Sequence, residues 1–304
     1  MIFHALSLSA LKCLEKFEEH YQHSSDNLTR IELEKIKRCG YRVVLVAGDE
    51  LVLSGEQPAV VDEKTLLALS NAWRSICGVT NRPQVVQKNS WQVIDRISEG
   101  VLLPSHRSFI LRRFQQLEDE DLFIILLTGN ELHGLPAYEL LMLCDFWQLS
   151  LGFFPLHACG VQHNRYLYLF TGPSDAGKST VAALSRSAGD QVIDEDQVLV
   201  HSLAGGGYSA DGWGYGIVPC EAPLRAIFRL VQDSEDKLIP LNDMQVARLI
   251  LERQSDILGG MLFDDLLRKS FHFASEIARQ VPGYDLHFRK SPDFWKLIDE
   301  EFPD

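Results

Sequence analysis

The chain has 304 residues, 42 acidic against 29 basic, for a formal net charge of −13. That balance gives no general electrostatic reason to bind nucleic acid or an anionic lipid surface. Hydrophobic residues at 46% and charged residues at 23% are ordinary for a globular protein, and the length suits two domains. The six cysteines form no C-x-x-C pair and read as reduced, buried thiols of a cytoplasmic protein. There is no run of about 18 apolar residues to span a membrane, and the N-terminus lacks the basic start of a secretory signal.

Residues 1–20 read as an amphipathic helix, and Asn27–Arg38 as a second helix ended by Gly40. Tyr41–Ala47 predicts a strand, Gly48-Asp49 a turn and Glu50–Leu53 its return. Asp62–Cys77 has helical spacing with Asp62 as its cap. Val85–Ile97, Val101–Leu111 and Leu122–Thr128 predict short strands, the last apolar enough to be buried on both faces. Residues 1–133 thus predict a smaller α+β domain without a catalytic motif. His106, Arg107, Arg112 and Arg113 read as solvated surface or, alternatively, as part of a docking surface for a peptide or protein.

Residues 134–304 predict a second, α/β domain. Gly134–Ser150 reads as an apolar helix, Pro155–Gln162 as a strand, and His163-Asn-Arg165 as a tight link into the strand Tyr166–Thr171. Next comes Gly172-Pro-Ser-Asp-Ala-Gly-Lys-Ser-Thr180, the phosphate-loop pattern G-x-x-x-x-G-K-[ST]. Gly172 and Gly177 let backbone N–H groups turn inward on a polyphosphate, Lys178 supplies a point charge, and Ser179 is placed to ligate Mg²⁺. A helix over Ser179–Arg186 and a strand over Gln191–Ile193 follow, ending in Asp194-Glu195-Asp196. Read as a parallel neighbour of the first strand, the second brings these acids to the edge that carries the loop. Gly205–Gly216 is too glycine-rich to predict regular structure and reads as a simple flexible loop or, alternatively, as a mobile lid in which Trp213 and Tyr215 contact acceptor or nucleotide. Leu224–Val231 predicts a strand with Arg225 and Arg229 on one face. Helices over Leu241–Arg253, Gly260–Gln280 and Asp293–Glu301 and a strand over Val281–Arg289 complete the domain.

These residues resemble the HPr kinase/phosphorylase group, whose nucleotide-binding fold is that of phosphoenolpyruvate carboxykinases. The similarity rests on Pro155-Leu-His-Ala158, Gly172–Thr180, the acidic triplet, Pro223-Leu-Arg-Ala-Ile-Phe228 and Val281–Ile298, and is strongest to the HPr-kinase-related proteins that include lasso-peptide kinases. The resemblance covers about residues 140–300. It implies a mixed sheet in a phosphoenolpyruvate carboxykinase-like P-loop domain. It also implies that Gly172, Ser174, Asp175, Ala176, Gly177, Lys178, Ser179 and Thr180 hold ATP, and that Ser179 and Asp196 hold Mg²⁺. Glu195 matches the carboxylate that takes the acceptor's proton, His157 its neighbour, and Arg225 a strand arginine near the transferring phosphate. Two positions depart from the pattern. Asp175 stands where the family has glycine, at a point that calls for positive φ, and Glu195 stands for aspartate.

The expected activity is ATP- and Mg²⁺-dependent phosphorylation of a hydroxyl, a serine of a ribosomally made peptide or small protein. The alternatives are a small-molecule kinase, for instance on free serine, and a nucleotide-binding scaffold with weakened catalysis. Neither nucleic acid nor membrane is an expected partner, and homo-oligomerisation is left open.

Overall fold

In the computed structural model, residues 2–5, 35–36, 38, 42–48, 84–88, 91–95, 99–103, 108–114, 121–128, 137–258 and 264–303 are described. The chain divides into two compact units, Met1–Cys144 and Asp145–Asp304. The division falls inside helix α1, Ala137–Ser150, whereas the expected boundary of 133/134 lies ahead of that helix. Among the described residues no helix is long and apolar enough to cross a membrane.

The first unit carries a seven-stranded sheet of β1 (Ile2–Ala5), β2 (Arg42–Gly48), β3 (Gln84–Lys88), β4 (Trp91–Asp95), β5 (Glu99–Leu103), β6 (Ser108–Phe114) and β7 (Asp121–Thr128). Their spatial order is β1-β2-β7-β6-β5-β4-β3. β1, β2 and β7 run parallel, and β7 back to β3 form an antiparallel meander. Ile2–Ala5 is therefore a strand and not the start of a helix, because pairing with residues some forty positions on overrides a helical spacing. The predicted strand Glu50–Leu53, the helix Asp62–Cys77 and the residues His106 and Arg107 lie outside the described residues. Arg112 and Arg113 fall on β6.

The second unit is mixed α/β. Its eight strands are β8 (Phe154–His163), β9 (Tyr166–Thr171), β10 (Gln191–Asp194), β11 (Gln197–Ser202), β12 (Tyr208–Gly212), β13 (Leu224–Gln232), β14 (Lys237–Leu241) and β15 (Gly283–Phe288). Seven follow the order β12-β11-β8-β9-β13-β15-β14, and β10 pairs with β8. β9, β13 and β15 are parallel, so their C-terminal ends share one edge. β8 and β9 form the expected hairpin, closed by Asn164-Arg165 with Asn164 at φ 55.

Along β9, β13 and β15 alternate residues face one helical layer. Tyr168, Phe170, Ala226, Phe228, Leu230, Tyr284, Leu286 and Phe288 pack on Val181 and Ala182 of α2 (Lys178–Ala188) and on Phe294, Trp295 and Ile298 of α5 (Phe294–Glu301). On the opposite face lie α3 (Asp243–Leu258) and α4 (Asp264–Gln280). There Phe273 stacks on Phe154 at 5.2 Å, and Gly283 leaves room for Val246. Helices on both faces explain why β9 is buried over Leu167–Thr171 rather than alternating. A capping box starts α3: the Asn242 side chain accepts from the Gln245 amide at 3.0 Å, and the Gln245 side chain accepts from the Asn242 amide at 2.9 Å. This cap lets Lys237–Leu241 remain a strand up to the residue before it.

Candidate functional site

Gly172 to Gly177 bridges the end of β9 and the start of α2 in a tight turn. A methyl at Gly172 would stand 2.6 Å from the Ala176 Cβ, and one at Gly177, where φ is 113, would stand 2.7 Å from the Phe288 ring. Asp175 takes the expected left-handed conformation, φ 63. The Gln232 side-chain amide at the end of β13 fixes it there, donating to the Asp175 carbonyl at 2.7 Å. Ser174 and Asp175 are exposed at the tip, and Ala176 half-buried.

Lys178 is buried and folds back over its own turn, its Nζ donating to the Gly172 carbonyl at 3.1 Å and to Pro173 at 3.4 Å. The first intrahelical bond of α2 runs from the Val181 amide to Gly177. The Ser179 and Thr180 amides ahead of it have no acceptor within the helix, and the Ser179 side chain is exposed. A helix N-terminus, a glycine-shaped turn and a lysine held inside it are chemically suited to an anionic group.

The acids reach this edge by a different route from the expected one. β10 is not a hydrogen-bonded neighbour of β9. It pairs antiparallel with β8, which lies between them, and so runs in the same direction as β9. β10 and β11 lie successively along one side of β8; the register shifts at Ile193, between Val192 and Asp194, and Glu195-Asp196 is the bend that joins the two strands. The Ala158 amide still donates to the Asp196 carbonyl at 3.0 Å, and Ala158 pairs with Thr171 on its other side. Two strand spacings, about 10 Å, thus separate the Asp196 backbone from the foot of the turn.

Within the triplet each acid has a distinct environment. Asp194 is buried and accepts from the amides of Asp196 (2.9 Å), Gln197 (3.0 Å) and Tyr215 (2.9 Å), which makes it the anchor of the bend. Glu195 pairs with Arg186 of α2. Asp196, with its side chain 55% exposed, stands 3.2 Å from His157 Nε2. Thr171 holds the His157 backbone by donating its hydroxyl to that carbonyl at 2.9 Å. Beneath them Cys159 is wholly buried. Its thiol is driven far above the ordinary range by burial, then by the charges of Glu195 and Asp194, with Arg186 and Lys178 opposing.

Arg225 is not part of this group. β13 is parallel to β9, with Leu224 level with Leu167 and Arg229 level with Thr171, so Arg225 lies at the far edge, about 16 Å from the turn. There it stacks over Tyr166 at 4.8 Å and Phe302 at 5.5 Å. The strand arginine at the near edge is Arg229, bound through two nitrogens to Asp285 at 2.6 Å each.

The glycine-rich stretch is also more ordered than its composition predicts. Gly206 and Gly207 take positive φ in the β11–β12 turn, and Tyr208–Gly212 is a strand. A methyl at Gly212 would meet the Ile193 carbonyl at 2.3 Å, and one at Gly214 the Asp194 Oδ1 at 2.6 Å. These two glycines serve close approach to the acidic bend, not mobility. Trp213 is buried and donates to Asp145 Oδ1 at 2.8 Å, an atom that also accepts from Gln197 Nε2 at 2.9 Å, so it offers no contact to a ligand. Tyr215 is 60% exposed. Gln232, Arg186 and Asp145 were not marked by any motif. Their partners lie 57, 9 and 52 or more residues away, and only the Arg186–Glu195 pair is close enough in sequence for helix-to-strand spacing to have suggested it.

No protein-family model matches the chain, and no curated protein matches it.

Proposed function

We propose that the second unit is an ATP- and Mg²⁺-dependent kinase acting on a hydroxyl, with a serine in a peptide or small protein as acceptor. The observation that carries this reading is Lys178 buried inside the Gly172–Gly177 turn with the His157–Asp196 pair at the same sheet edge. The hairpin into β9 and the acidic bend beside β8 support the resemblance to the HPr kinase/phosphorylase group and its phosphoenolpyruvate carboxykinase-like fold.

The residues present fit the nucleotide. The turn would cradle the β- and γ-phosphates through backbone amides, with Lys178 swinging from its carbonyls to the phosphate oxygens. The Ser179 hydroxyl, with phosphate oxygens and water, would hold Mg²⁺, which needs few protein ligands. When bound, Mg²⁺ neutralises charge on the transferring group. In the transfer itself the acceptor oxygen bonds to the γ-phosphorus while the bond to the bridging oxygen breaks, and ADP leaves.

Glu195 is engaged by Arg186 and Asp194 by three amides, so the hydroxyl proton goes to Asp196, the exposed acid, with His157 steadying its carboxylate. This moves to Asp196 the base role expected of Glu195 and takes Asp196 out of the expected metal site. The half-exposed Asp196 and exposed Tyr215 form an open site, which favours a peptide over free serine. The Glu195–Arg186 pair favours the rival reading, a scaffold that binds ATP without transfer.

Incubation with γ-labelled ATP, Mg²⁺ and a peptide-rich extract of the source cell tests all three readings. A peptide gaining about 80 Da, the mass of one phosphoryl group, is expected. Labelled free serine supports the small-molecule enzyme, and bound but untransferred ATP supports the scaffold.

A further inference from the structure

Beside the acidic bend the chain displays an aromatic ring on a rigid mount. Tyr215 is 60% exposed, yet its backbone is fastened on the inner side by the Asp194 carboxylate, which accepts its amide at 2.9 Å. The two residues before it are fastened as well: the Trp213 and Gly214 amides both donate to the Gln197 carbonyl at 2.9 Å, and the Trp213 indole is anchored on Asp145. Gly214 can sit there only because it lacks a Cβ. The phenol is close enough to the acids that Asp196 first, then burial and the other two charges, raise it above its ordinary range.

Direction across the sheet says which substrate this ring would meet. The order is β12-β11-β8-β9, with the phosphate-type turn at the end of β9 and Tyr215 just past β12, on the far side of Asp196. In an in-line displacement the leaving oxygen lies toward the turn that grips the β-phosphate, and the attacking oxygen enters from the opposite side. Tyr215 therefore borders the path of the acceptor and not that of the nucleoside. A fixed tyrosine offers broad contact at small entropic cost.

Resting on the kinase reading above, we infer that Tyr215 is the specificity platform for the acceptor, packing an apolar or aromatic residue next to the phosphorylated serine of a peptide.

The test uses the full chain, γ-labelled ATP with Mg²⁺, and a positional library of short serine peptides, with free serine as a competitor. The wild type should label peptides with aromatic or aliphatic residues beside the serine at least about tenfold better than those with glycine there. Tyr215→Ala should erase that preference through the peptide KM while moving the KM for ATP less than twofold, and Tyr215→Phe should restore it. A preference that survives Tyr215→Ala, free serine labelled ahead of every peptide, or ATP hydrolysis with no peptide labelled would each overturn the assignment. Failure of the wild type to bind ATP would instead overturn the kinase reading, so the two failures are distinguishable.

Discussion

At one end of β8, His157 faces Asp196 at 3.2 Å; at the other, His163 lies between Asp190 at 2.7 Å and Asp299 at 3.0 Å. Both are imidazole–carboxylate groupings on a single strand, and their surroundings separate them. His163 is stacked on Trp295 at 4.1 Å and ties the hairpin to the end of α2 and to α5. Every partner there belongs to the packing of the unit. His157 and the half-exposed Asp196 instead border a glycine turn and a buried lysine. Residue type alone does not separate the two groupings; on the proposed reading the difference is an acid left partly in water beside the lysine-filled turn.

Four changes, in falling order of effect, can break or sharpen this contrast. On the proposed kinase reading, Lys178→Ala should lower phosphoryl transfer by about a thousandfold, since the charge that would move from the Gly172 and Pro173 carbonyls to the phosphate oxygens is lost. Circular dichroism should show an unchanged fold, and transfer at the wild-type rate would remove the near end of β8 from the chemistry. Asp196→Asn should reduce turnover by about a hundredfold or more while the Mg²⁺ titration midpoint moves less than twofold. A large shift in that midpoint would return Asp196 to the metal.

At the other end, His163→Ala should cost about 2 kcal/mol in denaturant unfolding, because it leaves the buried Asp190 carboxylate without its partner. ATP binding by this variant should equal that of the wild type, and a weakened affinity would mean the two ends are coupled. Smallest is a pH effect away from both ends. His201 Nε2 lies 3.4 Å from Asp211 Oδ1, and that carboxylate holds the imidazole above its ordinary value against the opposing effect of burial. A raised folded-state value means the stabilisation is fully present below about pH 6.5, the unfolded value, and is lost as pH rises through the folded one. Unfolding temperature should therefore fall slightly more across pH 6–8 in the wild type than in His201→Gln.

Much of the second unit was legible locally. β9 and the turn after it follow from an apolar run meeting a glycine-punctuated motif, and the positive φ at Asp175 follows from the turn's own geometry. The helix α2 was legible too, though it runs two residues past the expected end at Arg186, to a glycine cap: Gly189 at φ 97 donates to Arg186, and the Asp190 amide donates to Ser185. What failed to be legible was pairing. Local alternation cannot say that β8 lies between β9 and β10, or that Arg225 rides at the far end of its strand. Nor can composition say that Gly212 and Gly214, unlike Gly206 and Gly207 in their turn, are there for close contact with Ile193 and Asp194.

The order of chemical types along Gly172–Ser179 and Asp194–Asp196 was thus determined by the sequence itself, because a phosphate-type turn and a helix start are encoded within a few neighbouring residues. Which acid meets solvent, which is consumed by backbone amides and which is bound by Arg186 was decided only when distant strands came into register. Hydrogen bonds between segments tens of residues apart depend on the whole sheet, and no local pattern carries that information.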